Sequence, residues 1–432
     1  MAVNIKWDIT YKCNLNCAHC LNGDFLGDID QELNLAEIKD IVHSIKDEID
    51  INYISLLGGE PTTRKDFMDI CSFFEDEKIY FTFNTNALLL DEEKCIKLSN
   101  FKYLKGIVFS IEGPNEYLND KIRGKKVFNI INNKIKMFNK YKNINKSNAQ
   151  ITCNTVLTRE NKKYMNEMID FCIDNNVDCL GILLLIDRGN ARGKQLGLSN
   201  DDIIEVSKNI AEKYRYVKDR LTIMPKYVRP LMKDYIGLVY GLDFPESEHF
   251  CGAGITFMYI DNKGNCYPCD EFKTESKLYN IKNSEFKRCW CSEKFSEPFK
   301  IMESSDYKTL KLCSDCKYFL NTCFPCPKSN FSDAYKECDY YLKNMIINLI
   351  NNIKIKGPHF RVSEFENGFC TLINTTNLET IQLNEMSYKL FFDIVGKNLD
   401  FSYYEDKGVS KFQILDFIKF LKNKGFISYE KQ

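Results

Sequence analysis

The sequence of 432 residues has almost no net charge and no long hydrophobic run. Its 59 basic and 60 acidic residues give a formal net charge of −1, so we expect no overall attraction to nucleic acid or to an anionic membrane. No apolar run approaches the roughly 20 residues that a membrane-spanning helix needs. The first residues, MAVNIKWDITYK, lack the basic start and long apolar core of a signal peptide. These absences predict a cytoplasmic protein with neither a nucleic-acid nor a membrane partner.

Cysteine, in contrast, is abundant. The chain contains 19 cysteines, a high number for a protein without a secretion signal, because disulfide bonds are rare in the cytosol. The odd total and the grouping into C-x2-C pairs favour the binding of a metal or an iron–sulfur cluster over disulfide bonding. Six cysteines lie on apolar faces and are expected to pack as small hydrophobic side chains: Cys71, Cys95, Cys153, Cys172, Cys179 and Cys370.

Residues 1–199 alternate between apolar runs of strand length and segments with helical periodicity. The predicted strands are 4–10, 51–57, 79–84, 106–111, 150–157 and 179–186. This alternation predicts an α/β fold made of right-handed βαβ units with a parallel sheet. Six such units indicate a partial (β/α)6 barrel of the TIM-like kind, in which functional residues lie at the C-terminal ends of the strands.

Three further segments follow the predicted barrel. Residues 200–249 have helical periodicity interrupted by prolines, and we interpret them as a bridge. Residues 250–345 are rich in cysteine and have little regular periodicity, as expected where metal replaces a hydrophobic core. Residues 355–432 predict three short strands and two amphipathic helices, a small α+β module of winged-helix proportions.

The stretch KCNLNCAHCLNG places three cysteines directly after the first predicted strand, as C-x3-C-x2-C. A four-iron cluster usually takes one thiolate on each iron, so Cys13, Cys17 and Cys20 would leave one iron open to a ligand from outside the protein. A zinc site completed by His19 is the alternative interpretation. Adjacent ligands at positions 19 and 20 would strain a single tetrahedral site, which favours the cluster.

This arrangement resembles that of the radical S-adenosylmethionine (SAM) enzymes. In that family the amino and carboxylate groups of SAM chelate the open iron, and electron transfer splits SAM into methionine and a 5′-deoxyadenosyl radical. The resemblance implies that Cys13, Cys17 and Cys20 bind the cluster. It also places His19 where the family commonly has an aromatic residue near the adenine.

Three later motifs are similar to those of the same family. GGEP follows the second strand, where glycines would let the backbone approach the amino group of SAM and a glutamate would balance its charge; in isolation GGEP would be a plain turn. The third strand ends in TNA, with Ala87 where glycine is usual, and the fourth ends in SIEG, with Glu112 where aspartate is usual. The resemblance implies the following SAM-binding residues: His19, Gly58, Gly59, Glu60, Asn86, Ser110, Arg123 and Leu185. It assigns no general acid or base.

The cysteine-rich segment resembles the SPASM extension of peptide-modifying radical SAM enzymes, although two of its spacings are shifted by one residue. The resemblance implies two auxiliary four-iron clusters. The first would be bound by Cys251, Cys269 and Cys326, and the second by Cys313, Cys316, Cys323 and Cys338. Cys266 is the predicted fourth ligand of the first cluster, and a substrate thiolate at an open iron is the alternative. Two zinc ribbons are the competing interpretation of the C-x2-C pairs, and Cys289 and Cys291 are expected to be unassigned thiols.

The C-terminal module resembles, more distantly, the PqqD-like domains that bind the leader segments of precursor peptides by strand addition. A generic winged helix is the alternative. Together these resemblances imply a maturase that abstracts hydrogen from a ribosomally made peptide and forms a thioether, carbon–carbon or carbon–oxygen cross-link. Its partners would be a precursor peptide with a leader and a reductant such as flavodoxin or ferredoxin. Two other functions stay open: formylglycine formation of the anaerobic sulfatase-maturating type, and an electron-transfer or scaffold role.

Overall fold

The computed structural model describes residues 2–124, 126–244, 252–273, 279–283, 286–292, 295, 311–319, 323, 331–354 and 360–429. The chain divides into two compact units. The first contains Met1–Val228, Phe244–Met302 and Cys326–Lys328, and the second contains Arg229–Asp243, Glu303–Pro325 and Ser329–Gln432. The predicted bridge and the predicted cysteine-rich segment therefore each contribute residues to both units.

Strands and helices are numbered along the chain. The strands are β1 (Ala2–Thr10), β2 (Asp50–Gly58), β3 (Phe81–Thr85), β4 (Leu104–Ser110), β5 (Gln150–Leu157), β6 (Cys179–Leu184), β7 (Thr222–Pro225), β8 (Phe257–Ile260), β9 (Asn265–Tyr267), β10 (Tyr279–Asn280), β11 (Ile353–Lys354), β12 (Phe360–Val362), β13 (Phe369–Asn374), β14 (Thr380–Asn384) and β15 (Ser428–Tyr429). The helices are α1 (Leu35–Lys46), α2 (Phe67–Asp76), α3 (Glu92–Ser99), α4 (Glu116–Arg123), α5 (Phe128–Ile144), α6 (Met165–Asp174), α7 (Asn200–Val217), α8 (Pro230–Tyr240), α9 (Phe286–Trp290), α10 (Lys311–Ser314), α11 (Phe331–Asn351), α12 (Glu385–Val395), α13 (Phe401–Asp406) and α14 (Lys411–Asn423).

The first unit is built on one sheet with the strand order β10-β9-β8-β1-β2-β3-β4-β5-β6-β7. Strands β1 to β7 are parallel to their neighbours, β8 pairs in parallel with β1, and β9 and β10 extend the sheet in antiparallel fashion. The predicted α/β class with a parallel sheet is confirmed. All six predicted strands are present as β1 to β6, with ends that differ by a few residues.

The alternation of side chains along β1 gives the sheet two different faces. Val3, Ile5 and Trp7 are fully buried, whereas Lys6 between them is partly exposed. Because neighbouring residues of a strand point to opposite faces, the apolar residues share one face and the polar residue lies on the other.

Helix α1 shows why the connections between strands are helical. Asn34 and Glu37 form a capping box at its N-terminus, in which each side chain accepts a hydrogen bond from the backbone N–H of the other residue. The apolar residues recur with the period of a helix, and four of them are buried: Ile38, Ile41, Val42 and Ile45.

The second unit contains α8, α10 and everything described from α11 onwards. Helix α11 packs against α8 and α14. Strands β12, β13 and β14 form an antiparallel sheet in chain order, and they correspond to the three strands expected in the C-terminal module. The short helix α13 and the pair of β11 with β15 were not predicted.

In the described part of the chain, every helix is either too short or too polar to cross a membrane.

Candidate functional site

Three cysteines lie in the loop that follows β1. Burial raises the pKa of all three thiols, that of Cys20 to about 11, and the neighbouring thiols of Cys17 and Cys13 add to the effect on Cys20. The loop is held by its own backbone: the N–H of Cys20 donates to the carbonyl of Cys17 at 3.2 Å, and the N–H of Leu15 to Sγ of Cys13 at 3.4 Å. Sγ of Cys17 lies 3.8 Å from the carbonyl oxygen of Arg123. The structure therefore brings the three predicted ligands together in one loop, next to the end of α4.

The two glycines of GGEP allow β2 to approach this loop. Gly58 has a φ of +131°, and a Cβ atom there would lie 2.0 Å from the carbonyl oxygen of Thr10. A Cβ atom on Gly59 would lie 2.3 Å from the carbonyl oxygen of Lys12. A larger residue at either position would collide with the backbone that leads into Cys13. The close approach that these glycines permit is thus to the cysteine loop itself.

Glu60 is buried and ties the ends of β2 and β3 together. Its Oε1 accepts hydrogen bonds from the hydroxyls of Thr62 and Thr85, and its Oε2 accepts one of 2.6 Å from the N–H of Asn86. Burial raises the pKa of this carboxyl, while the hydrogen bonds oppose the rise. Both carboxylate oxygens are therefore engaged by the protein.

Asn86 reaches from β3 to the cysteine loop. Its Nδ2 donates to Oδ1 of Asn14 at 2.7 Å. The next residue, Ala87, has a φ of +65°, which lies in the left-handed region that glycine adopts most easily. This conformation explains physically why glycine is usual at that position in the family that the motif resembles.

A buried hydrogen-bonded cluster lies where β4 ends, two residues beyond Ser110. Oε1 of Glu112 lies 3.1 Å from Nε2 of His19 and accepts a hydrogen bond of 2.9 Å from Arg123, while Oε2 accepts one of 2.8 Å from the N–H of Val156. Burial alone would raise the pKa of Glu112, but His19 and Arg123 outweigh it and hold the pKa at about 2. Glu112 is thus an anion that anchors two of the predicted SAM-binding residues. In the sequence, the only sign of this role was that Glu112 stands where aspartate is usual.

Two buried nitrogen atoms in this cluster have no hydrogen-bond partner among the described residues. They are Nδ1 of His19 and Nε of Arg123. Buried polar atoms are normally paired. These unpaired polar atoms beside the cysteine loop fit the polar groups of a bound ligand such as SAM.

The segment after β6 also packs on the cysteine loop. The N–H of Asn190 donates to the carbonyl of Cys20 at 3.0 Å, and its Nδ2 donates to the carbonyl of Cys17 at 2.9 Å. Gly189 has a φ of +60°, and a Cβ atom there would lie 2.3 Å from the carbonyl oxygen of Cys20. Leu185 stands at the start of this segment. Asn190 was not among the predicted site residues, because an asparagine in a loop carries no signal of its own.

The donor set fits an iron–sulfur cluster better than a single zinc ion. Among the described residues, no three Cys, His, Asp or Glu side chains converge closely enough to hold one metal ion. His19 turns its Nε2 to Glu112. Three soft thiol ligands on one loop suit a cluster that keeps one iron open.

A buried polar network connects β1 with the segment around β8. The hydroxyl of Tyr259 donates to Oδ2 of Asp8 and lies 3.2 Å from the hydroxyl of Tyr11. Nζ of Lys273 lies 3.4 Å from the same carboxylate oxygen and donates to Asn22 of the cysteine loop. Burial raises the pKa of Asp8, and Lys273 opposes the rise. This network was missed because a single aspartate within the apolar run WDIT gives no sign of its partners.

Of the cysteines expected around the first auxiliary cluster, Cys251 and Cys326 lie outside the described residues. Cys269 packs against the buried rings of Tyr259 and Tyr267. Cys266 is fully buried, its Sγ donates to the carbonyl oxygen of Gly264 at 3.9 Å, and the thiol of Cys289 lies beside it. Because adjacent residues of β9 face opposite sides, Cys266 lies on the side opposite Tyr267.

The four cysteines expected around the second auxiliary cluster lie close together in the second unit. Burial raises the pKa of the Cys323 thiol to about 11 and that of the Cys338 thiol to about 12. The pKa of Cys323 is raised further by the thiols of Cys313 and Cys316. The pKa of Cys338 is raised further by those of Cys313 and Cys323. The positive charge of Arg229 opposes the rise in the pKa of both Cys323 and Cys338. The four thiols are thus near enough to influence one another's charge, and Arg229 is near enough to influence Cys323 and Cys338.

Two family models match parts of this chain. The model of the radical SAM superfamily matches residues 7–172, and that of an iron–sulfur cluster-binding domain, SPASM, matches residues 251–317.

Two curated relatives and one solved structure extend over most of the chain. The chain is 27% identical over 321 residues to mycofactocin maturase MftC of Mycolicibacterium smegmatis. The aligned residues cover 73% of this chain and 75% of the relative. It is 23% identical over 344 residues to an AdoMet-dependent heme synthase of Oleidesulfovibrio alaskensis, covering 76% and 83% of the two chains. The structure of Streptococcus suis SuiB bound to the precursor peptide SuiA is similar in fold, with a TM-score of 0.59 and 19% identity, over 75% of this chain and 71% of that chain.

Proposed function

Since the chain is an enzyme of the radical SAM superfamily and carries a SPASM iron–sulfur cluster-binding domain, we propose that it is a maturase that cross-links a ribosomally made peptide. The observation that carries this proposal is the convergence of the ends of α4, β2, β3, β4 and β6 on the loop of Cys13, Cys17 and Cys20. The similarity to a maturase over most of both chains supports a peptide as the substrate class.

The residues of the first unit have separate tasks in this proposal. Cys13, Cys17 and Cys20 hold the cluster, and the unpaired nitrogens of His19 and Arg123 bind polar groups of SAM. The proposed residues of the SAM site also include Gly58, Gly59, Glu60, Asn86, Ser110 and Leu185, of which Glu60 acts by fixing Asn86. When bound, the reduced cluster and SAM together supply the 5′-deoxyadenosyl radical that removes a hydrogen atom from the substrate.

Two auxiliary clusters are part of the proposal. Cys313, Cys316, Cys323 and Cys338 bind the second one, and their proximity supports this set. For the first, the burial of Cys266 against the carbonyl of Gly264 and the thiol of Cys289 favours the alternative of an iron left open to a substrate thiolate. Cys251, Cys269 and Cys326 are then its protein ligands. An external reductant such as flavodoxin or ferredoxin supplies electrons.

The C-terminal sheet is the proposed site for the leader segment of the precursor peptide. Strands β12 and β14 are the outer strands of this sheet, so each offers an edge to which an extended peptide can add. Three aromatic side chains, Phe365, Tyr388 and Phe392, pack together just beyond β12, with ring centroids 5.3 and 4.8 Å apart. Phe365 and Phe392 are each 42% exposed. We call these three residues the aromatic cluster, and we assign the leader to the neighbouring edge of β12.

Formylglycine formation, and the heme synthesis named for one relative, are the competing activities. Neither needs a leader-binding module. Deletion of residues 355–432 is a poor test, because this segment belongs to the same compact unit as the second cysteine group. Point substitutions on the aromatic cluster separate the possibilities, since they should impair only the leader-dependent activity.

The proposal is tested with the full chain reconstituted under anaerobic conditions. The protein is incubated with SAM, a reductant and a candidate precursor peptide that is deuterated at its non-exchangeable positions. Transfer of deuterium into 5′-deoxyadenosine, together with a loss of mass from the peptide, is the expected result. Formation of 5′-deoxyadenosine without deuterium, over a panel of precursor peptides encoded near such enzymes, would refute a peptide substrate while leaving the superfamily assignment intact.

A further inference from the structure

Lys273 carries a positive charge in the interior of the first unit. Its side chain is only 2% exposed. Its Nζ donates to Oδ1 of Asn22 and lies 3.4 Å from both Oδ2 of Asp8 and the hydroxyl of Tyr259. The centroid of the Phe25 ring lies 4.5 Å from the same nitrogen. A buried cation is stable only where anions, polar oxygens or aromatic faces replace water, and all three are present here.

A short turn brings Lys273 to this place. Lys273 is the residue that ends the turn Asp270–Phe272, in which the N–H of Phe272 donates to the carbonyl of Cys269 at 3.1 Å. Phe272 belongs to the same buried hydrophobic cluster as Tyr259 of β8. The ammonium group therefore reaches the cysteine loop from a separate segment of the chain, which is packed on β8.

The amide of Asn22 in the cysteine loop has three polar neighbours that determine its orientation. Its Nδ2 donates to the carbonyl of Gly58 at 3.0 Å and to Oδ2 of Asp8 at 3.3 Å. The carbonyl and the carboxylate can only accept hydrogen bonds, and the ammonium of Lys273 can only donate. The amide thus satisfies all three neighbours in one orientation, and the flipped amide would satisfy none of them.

The hydrogen bond from Asn22 reaches the peptide between Gly58 and Gly59. The N–H of this same peptide, which belongs to Gly59, donates to the carbonyl of Thr10 at 2.7 Å. Both polar atoms of the peptide are therefore held, one by β1 and the other by Asn22. Glycine allows a wider range of backbone angles than other residues, so these two hydrogen bonds supply the restraint that side chains would otherwise give.

We propose that Lys273 is a positioning residue of the SAM site, because it orients Asn22 and Asn22 holds the peptide between Gly58 and Gly59. Without the ammonium group, the carboxylate of Asp8 loses its ion pair and draws Nδ2 of Asn22 away from the carbonyl of Gly58. This role rests on the proposed binding of SAM at GGEP. It extends the SAM site to a residue beyond β9.

The test measures SAM binding by the full chain, reconstituted anaerobically and without any peptide. Equilibrium dialysis with radiolabelled SAM gives the dissociation constant, and iron analysis shows whether each variant carries the same clusters. Lys273→Met keeps the length of the side chain and removes its charge. We expect its dissociation constant for SAM to rise about tenfold, the loss caused by removing one hydrogen bond to a charged group. Asn22→Ala should weaken binding as much, and the double variant no further, since both changes break the same contact.

A second measurement separates positioning from general damage to the fold. At saturating SAM, the rate at which Lys273→Met forms 5′-deoxyadenosine should approach that of the wild type, because the substitution removes binding energy and leaves the cysteine loop able to hold its cluster. A low rate that saturating SAM does not restore would indicate damage to the fold and overturn the inference.

Lys263→Met is the matched control. Lys263 lies between β8 and β9, and its Nζ lies 2.7 Å from Oδ1 of Asp28, so it also joins this part of the sheet to the chain that follows the three cysteines. Lys263→Met should bind SAM as the wild type does. An equal loss of SAM affinity in Lys263→Met and Lys273→Met would overturn the inference.

An unchanged dissociation constant in Lys273→Met at full iron content would overturn the inference as well. Should Lys273→Met fail to take up iron, Asn22→Ala decides, and an unchanged dissociation constant there has the same consequence. A wild type that binds no SAM would overturn the inference together with the site on which it rests. Because no peptide is present, failure of the proposed peptide substrate does not alter any of these results.

Discussion

Nε2 of His19 lies 3.1 Å from Oε1 of Glu112, so a hydrogen bond joins the cysteine loop to the end of β4. Both residues depart from the pattern that the motifs resemble, in which an aromatic residue and an aspartate are usual. The longer glutamate reaches both His19 and Arg123. The two unusual residues, His19 and Glu112, therefore act as a pair, and their contact fixes the loop that holds Cys17 and Cys20.

Replacement of Glu112 by glutamine should destabilise the protein. The buried Arg123 would lose the carboxylate that balances it, and removing one partner of a buried ion pair costs about 3–5 kcal/mol. Urea unfolding of the wild type and of Glu112→Gln, both free of clusters, measures the difference. Glu116→Gln on the exposed side of α4 is the control and should change stability by less than about 0.5 kcal/mol. Equal unfolding midpoints for wild type and Glu112→Gln would contradict the role of this anion.

The same carboxylate predicts a pH dependence of stability. The pKa of Glu112 is held at about 2 in the folded protein, below its ordinary value of 4.5. A group with a lowered pKa stabilises the fold fully above its ordinary pKa and loses this contribution as the pH falls through the folded value. The stability difference between wild type and Glu112→Gln should therefore shrink as the pH falls from about 4.5 towards 2. A stability difference between the two proteins that grows on acidification would contradict this prediction.

Cys266 and Cys269 should respond differently to substitution. Because the buried thiol of Cys266 donates to the carbonyl of Gly264 and lies beside that of Cys289, Cys266→Ala should keep the wild-type iron content. Cys269→Ala should lose the iron of the first auxiliary cluster. Iron analysis and Mössbauer spectroscopy of the reconstituted variants make the comparison. Loss of iron from Cys266→Ala would restore this residue as the fourth ligand.

The aromatic cluster should contribute to leader binding. Substituting Phe365 or Tyr388 by alanine removes ring contact area beside the edge of β12, and we expect the affinity for the leader to fall by about tenfold or more. Fluorescence anisotropy with a labelled leader peptide measures this. Phe420→Ala is the matched control, since that ring is 40% exposed but lies on α14. If the control weakens binding as much as the two cluster variants do, the leader does not dock at this edge.

The strands and helices with regular hydrophobic patterns were predictable from the sequence. Strands β1 to β6 and the buried stripe of α1 follow from local periodicity, and the loop of Cys13, Cys17 and Cys20 follows from spacing. Strands β8 to β10 have two to four residues each, too few to show a period. Moreover, β8 pairs with β1 across some 250 positions of the chain, so nothing near Phe257 in the sequence indicates its partner.

The contacts of the site were less predictable than its motifs. The spacing C-x2-C suggests that Cys266 and Cys269 act together, yet the alternation of β9 places Cys266 on the side opposite Tyr267, with which Cys269 packs. The network of Asp8 and Tyr259 likewise depends on residues that only the folded sheet brings together. Spacing indicates which cysteines share a loop, but not which side of a strand each thiol faces.

The central claim is that the loop after β1 holds a cluster that cleaves SAM. The most direct measurement is the amount of 5′-deoxyadenosine formed from SAM by the reduced, reconstituted protein under anaerobic conditions. The wild type should form it, as should the variant Cys291→Ala, which alters an exposed thiol, whereas Cys13→Ala, Cys17→Ala and Cys20→Ala should each form none. Equal amounts from the wild type and Cys13→Ala, or no product from the wild type, would contradict the account.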